Sequence, residues 1–283
     1  MIDTGIVQRA SQSLAYESWG QGEALVFVHG FGTDREIMRD LAEALGEGRR
    51  VVLLDLRGHG ASGVPGEDSD EVAYGYPTQC DDLIAVIDAL GLDRVHWIGH
   101  SMGGQLALMA ALRAPERTGS LVAMGAGPNR PVLEEREKRS WTRAADRFEA
   151  MTSEDLARAL AAAAPRVAAV PGSPGVGPGS PPEDDHRFYA RALGTELARI
   201  VRGAFLPMCD NAEECRGLEA PVLVIAGQDD AQWLEPSRTL AALLPQSELY
   251  EIHFAGHLAH LEQQDVVVKR INDFLLRHQA ASS

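Results

Sequence analysis

Six short apolar runs, spaced by stretches with helical periodicity, restrict this chain's fold more than any other feature. They are ALVFVHG (24–30), RRVVLLDLRG (49–58), RVHWIGH (94–100), SLVAMG (120–125), PVLVIAG (221–227) and SELYEIHF (247–254). Most have apolar residues at consecutive rather than alternate positions, as a strand does when both of its faces are covered. Between them lie amphipathic segments. Residues 34–45 carry apolar side chains at 37, 38, 41, 42 and 45, and residues 77–91 open on proline and end on glycine. Residues 102–114, 236–245 and 263–278 also read as helices. Strands buried on both faces and alternating with helices predict an α/β fold, a mostly parallel sheet with helices on both faces. Ahead of them, Ile6–Ala10 and Leu14–Trp19 predict an antiparallel edge hairpin.

The alternation stops between Gly127 and Gly217. That stretch has no strand pattern. It offers helical segments at about 131–151, 153–164, 184–194 and 195–206. Among them lies PGSPGVGPGSPP (171–182), with four glycines and five prolines in twelve residues, a composition that predicts a mobile loop. The loop is either a surface linker or a hinge in a lid. The expected organisation is a core of residues 1–126 and 218–283 with an inserted, all-helical cap at 127–217. The insertion leaves from the end of a strand, the edge of an open α/β sheet at which ligands bind.

Composition removes several function classes. Over 283 residues the formal charge is −15, which disfavours nucleic acid and an anionic membrane surface as partners. No run approaches the ~18 apolar residues of a membrane span. The start has neither a basic nor an apolar signal region, and Cys80, Cys209 and Cys215 are three scattered thiols, so a reducing, cytoplasmic location is expected. No cysteine–histidine spacing suits zinc, and neither a metal nor a cofactor is expected.

Gly99-His100-Ser101-Met102-Gly103 fits G-x-S-x-G, and it sits where a strand hands over to a helix. That junction is the setting of a nucleophile elbow, in which a sharp turn lifts a serine hydroxyl above the sheet edge. A serine needs a base, and the base needs a carboxylate to orient it. Asp229 and Asp230 directly follow one late strand, and His257 follows the last. Spacing alone does not separate the two acids. A pair of backbone N–H donors for a developing oxyanion is expected at Met102, after the nucleophile, and at Phe31, in the loop His29-Gly30-Phe31-Gly32. His29, His59 and His100 belong to loop motifs and are expected to make structural hydrogen bonds.

The segments HGFG (29–32), DLRGHGAS (55–62), GHSMGG (99–104), PVLVIAGQDD (221–230) and AGHLAHLE (255–262) together resemble an α/β-hydrolase-fold enzyme of the esterase, lactonase and haloperoxidase-like type. The resemblance covers residues 5–126 and 218–279. It implies the α/β-hydrolase fold, a catalytic triad of Ser101, Asp230 and His257, and an oxyanion hole of Phe31 and Met102. The choice of Asp230 over Asp229 comes from this resemblance, because the acid usually lies three residues beyond the glycine that ends its strand. Dehalogenases and epoxide hydrolases of the fold carry an aspartate where Ser101 stands. Meta-cleavage C–C hydrolases usually carry tryptophan after the histidine, where this chain has Leu258. The implied activity is hydrolysis of a carboxylic ester or lactone of a small, largely uncharged substrate. C–C hydrolysis, perhydrolysis and acyl transfer on the same triad are the alternatives, and a slow-turnover small-molecule receptor is the alternative from another class. Trp141, Phe148, Phe205, Trp233 and Leu258 are the residues expected to line the substrate pocket.

Overall fold

The computed structural model describes residues 2–10, 12–66, 71–130, 134–163 and 193–278. Its centre is an eight-stranded sheet: β1 (Asp3–Arg9), β2 (Gln12–Trp19), β3 (Ala24–Val28), β4 (Arg50–Leu54), β5 (Val95–His100), β6 (Thr118–Met124), β7 (Val222–Gly227) and β8 (Ser247–Ile252). The spatial order is β1-β2-β4-β3-β5-β6-β7-β8. β1 and β2 form the antiparallel edge hairpin and β2 runs antiparallel to β4, while every later pairing is parallel.

The consecutive apolar runs arise from a sheet covered on both sides. In β3, Val26 and Val28 join one core with Trp97 of β5, while Leu25 and Phe27 join a second core with Leu53 of β4 and Ile98 of β5. Both sets are fully buried. Helices α2 (Tyr76–Ala89) and α3 (Met102–Arg113) supply Leu83, Val86, Leu106 and Ala110 to the first core. Helices α1 (Arg39–Leu45) and α10 (Gln264–His278) supply Leu41, Leu45, Ile271 and Phe274 to the second. Burying one such side chain contributes about 1.5–3 kcal/mol, so alternate residues of the same strand stabilise opposite layers. This is the arrangement that the resemblance implies.

Between β6 and β7 the described residues hold only helices: α4 (Glu135–Glu149), α5 (Ser153–Ala163), α6 (Gly194–Ile200) and α7 (Ala212–Cys215). α6 continues into a π-helical turn, Val201–Phe205. Arg202 in that turn reaches back to Asp146 and Glu149 of α4, at 2.8 and 2.9 Å. The expected helix at 184–194 and the loop at 171–182 lie outside the described residues, apart from Leu193 and Gly194. The remaining helices are α8 (Leu234–Leu243) and α9 (Ala259–Glu262).

At two helix starts the departure from the expectation has a clear physical reason. The segment expected as one helix at 34–45 opens as a 3-10 turn, Arg35–Met38, before α1 begins. There Asp34 caps the Glu36 N–H, and buried Asp55 holds both the Arg35 N–H and its guanidinium, at 2.8 and 2.6 Å. α8 starts two residues before the expected position, which leaves Pro236 in its first turn, where a missing N–H costs no helical bond.

Candidate active site

Ser101 occupies the one residue between β5 and α3, with φ 54° and ψ −121°. A non-glycine residue in this region costs on the order of 1–3 kcal/mol, so the surroundings must enforce it. The Ser101 N–H donates to the Met124 carbonyl at 2.9 Å, and the Ser101 carbonyl accepts from Gln105 N–H at 3.1 Å. The turn also needs a close backbone approach. A Cβ added to Gly103 would collide with the carbonyl oxygens of Val28 and His29.

The loop at 29–32 packs onto this turn. Gly30 lies so close that an added Cβ would stand 3.3 Å from Ser101 Cβ. Two buried imidazoles shape the loop. His29 accepts from Leu56 N–H at 3.0 Å through Nε2 and donates to the Gly30 carbonyl through Nδ1 at 2.8 Å. His59 accepts from Gly32 N–H at 3.2 Å. Burial keeps both rings neutral, lowering His29 and pushing His59 down to about 3. Phe31 is thereby presented beside Ser101. Met102 opens α3, where the first backbone N–H groups have no intrahelical acceptor.

At the end of β7 the chain turns so that Asp229 is exposed and Asp230 is buried. Asp230 Oδ2 accepts from His257 Nδ1 at 2.7 Å, while Oδ1 accepts from the N–H groups of Trp233 and Gln232 at 3.1 and 3.3 Å. The bond through Nδ1–H leaves His257 Nε2 as the nitrogen able to accept a proton. The Trp233 ring stacks on the imidazole at 6.0 Å and 20°. On another side Gly125 leaves room for the ring, since an added Cβ would lie 3.0 Å from Nδ1.

The backbone around His257 is pinned at three consecutive residues. Glu262 accepts from the N–H groups of Gly256 and Leu258 at 2.7 and 3.0 Å, and His100 Nε2 donates to the His257 carbonyl at 2.9 Å. Burial raises the Glu262 carboxyl, an effect opposed by these two N–H bonds. His100 lies between His257 and His260, each ring 4.7 Å away and tilted 51° to it. Burial holds His100 well below the ordinary histidine range and His260 at about 3, so both neighbours of His257 stay neutral. Sequence reading gave Glu262 no role, although it lies inside AGHLAHLE. Its position five residues beyond His257 was the available signal.

Ser101 and His257 open into one cavity of about 790 Å³. Phe31, Met102, Trp141, Phe205, Trp233 and Leu258 are in its wall, so four of the five expected pocket residues are there. Phe148 is not in the wall among the described residues. It packs against Phe31, ring centroids 5.9 Å apart, and Phe31 in turn packs against Phe205 at 5.2 Å, so its apolar surface is spent on the aromatic cluster. Trp141 meets Phe205 edge-on at 5.2 Å. Gln105, Asn129 and Met208 also line the cavity and were not singled out from sequence. All three cysteines are free. No helix among the described residues is long and apolar enough to cross a membrane.

The chain matches the alpha/beta hydrolase fold family over residues 23–264 and belongs to it. It is an enzyme of the hydrolase class. A 2-hydroxy-6-oxo-2,4-heptadienoate hydrolase of Pseudomonas putida is 28% identical over 272 residues, covering 90% of each chain. An esterase of Escherichia coli is 26% identical over 253 residues, covering 89% of this chain and 92% of its own. The structure of a thermophilic esterase from Thermogutta terrifontis superimposes with TM-score 0.79 and 26% identity, covering 99% of this chain and all of the other (100%).

Proposed function

We propose that this protein is a serine hydrolase of carboxylic esters or lactones that works through an acyl-enzyme on Ser101. The observation that carries the reading is the strained Ser101 turn opening into the same cavity as an imidazole whose Nδ1 is tied to buried Asp230 at 2.7 Å. Ser101 Oγ attacks the substrate carbonyl carbon, and His257 Nε2 takes the hydroxyl proton. Asp230 fixes the tautomer and stabilises the imidazolium. The N–H groups of Phe31 and Met102 hold the oxyanion, a contribution that in hydrolases of this kind is worth about 3–4 kcal/mol per donor. His257 then protonates the leaving alkoxide, and water activated by the same nitrogen releases the acid. The insertion at 127–217 acts as a cap, a reading supported by Trp141 and Phe205, which come from it and line the cavity into which Ser101 opens.

The mostly apolar wall suits a largely uncharged acyl or alcohol group. Relatives named as esterases support ester hydrolysis, and the relative named as a heptadienoate hydrolase supports C–C cleavage as the second reading. Turnover of p-nitrophenyl esters of graded chain length and of simple lactones, with products identified by mass spectrometry, tests the choice. Ester and lactone hydrolysis abolished in Ser101→Ala supports the proposal. No ester turnover, with cleavage of a carbon–carbon bond instead, sinks it in favour of the second reading. Tight binding without turnover points to a receptor.

A further inference from the structure

Two buried polar side chains in the cavity wall are not used by the proposed chemistry. Gln105 lies one turn beyond Ser101 on α3, is buried, and lines the cavity. The Tyr76 hydroxyl donates to Gln105 Oε1 at 2.7 Å from behind, which fixes the amide with Nε2 as its free end. Among the described residues Nε2 meets only the Met208 sulfur at 4.0 Å, a long contact to a weak acceptor. Asn129 is 3% exposed, lines the same cavity, and meets the next turn of α3 through its Nδ2, 3.0 Å from Met109 Sδ. Its Oδ1 is buried without a hydrogen-bond partner. Buried polar atoms in native proteins are nearly always satisfied, and an unsatisfied acceptor just beneath a cavity wall favours a ligand that a turn of the Asn129 side chain brings within reach. A weakly held donor and an unsatisfied acceptor beside one cavity match a group that both accepts and donates, which is what a hydroxyl does.

The cavity's charges point the same way. Arg130 is the one cationic residue of its wall among the described residues, and Glu137, also in the wall, engages it through two bonds of 2.8 and 3.3 Å. Asp210 and Glu235 add negative charge there. A substrate carboxylate would therefore meet acidic groups and a guanidinium already paired.

We propose that Gln105 and Asn129 form a polar subsite that selects a neutral substrate carrying a hydroxyl at a distance from the scissile carbonyl. The distance follows from α3: Gln105 is four residues and Met109 eight residues past Ser101, about 6 and 12 Å along the helix. An extended six-carbon ω-hydroxyacyl chain places its hydroxyl roughly 7 Å from the carbonyl carbon, within that window. This inference rests on the ester-hydrolase reading and narrows its substrate class.

The test compares ethyl hexanoate, ethyl 6-hydroxyhexanoate and monoethyl adipate by pH-stat. The pair hexyl acetate and 6-hydroxyhexyl acetate places the same hydroxyl on the alcohol side. The hydroxylated member of at least one pair should exceed its plain counterpart by about tenfold or more in kcat/KM, and the adipate monoanion should be the poorest of its three. Asn129→Leu and Gln105→Leu should each cut that preference, read as the ratio of the two rates within each variant, to about threefold or less, while a small phosphonate still labels Ser101. A variant that no longer labels is misfolded, and the other then decides. Equal rates within both pairs, a preference that survives both substitutions, or fastest turnover of the monoanion would overturn the subsite and leave the hydrolase reading standing. No turnover of any ester, with Ser101 unlabelled, overturns both.

Discussion

Lowering the pH from 7 to 5 should remove stability through the histidines that the fold keeps neutral. Burial holds His59 and His260 at about 3, against an ordinary value of 6.5. Between these limits the unfolded chain binds protons that the folded chain refuses, so stability is complete above about 6.5 and declines as the pH falls toward 3. By pH 5 each of these histidines has taken up nearly a full proton in the unfolded state and almost none in the folded one. At 1.36 kcal/mol per proton per pH unit, integration from pH 7 to 5 gives about 2 kcal/mol for each, about 4 kcal/mol for the pair. His29 and His100, also lowered by burial, act in the same direction. Asp82, Glu196 and Glu262 oppose them, since burial raises their carboxyls and acid relieves that cost. A single substitution separates the contributions. Urea unfolding of wild type and His260→Gln at pH 7 and pH 5 should show the variant losing about 2 kcal/mol less than wild type over that interval, whatever its stability at pH 7. Equal losses in the two proteins would refute the claim that His260 is held neutral.

Four further outcomes follow from the site. Asp230→Asn should lower kcat by about 10²–10⁴ by favouring the wrong imidazole tautomer, while exposed Asp229→Asn should stay within about tenfold, and steady-state kinetics ranks them. Gly103→Ala should destabilise the protein by about 1–3 kcal/mol or more, because its Cβ would strike the Val28 and His29 carbonyls, and a thermal melt checks this. Glu262→Gln retains one acceptor oxygen for two N–H groups, so kcat should fall with KM little changed, as expected when a group positions His257 without touching substrate. Phe205→Ala should enlarge the cavity and flatten the dependence of kcat/KM on acyl chain length across p-nitrophenyl esters.

The parallel sheet was legible because both its faces are buried, which writes strands such as ALVFV and VLVIAG as unbroken apolar runs. Ser101 was legible because a strand, a tight glycine turn and a helix leave a local pattern. Asp230 and His257 were placed by their distance from strand ends, but the choice between Asp229 and Asp230 depended on resemblance. In the structure it is the direction of the turn after Gly227 that exposes one and buries the other, and adjacent aspartates carry no sequence mark of that. Gln105 was missed for a related reason. A polar residue on a helix facing a cavity has the same periodicity as one facing solvent, and only the fold reveals that it is buried, while Asn129 lies in the loop after β6, where there is no periodicity to read. Phe148 shows the converse, since an aromatic residue of the insertion reads alike whether it forms the wall or packs against a residue that does.

The central claim, that Ser101 is the nucleophile, is tested most directly by covalent labelling. Wild type treated with a fluorophosphonate, digested and analysed by mass spectrometry should carry one adduct, on the peptide containing Ser101, and His257→Ala should label far more slowly. An adduct on a different serine, or labelling at an unchanged rate in His257→Ala, would contradict the account.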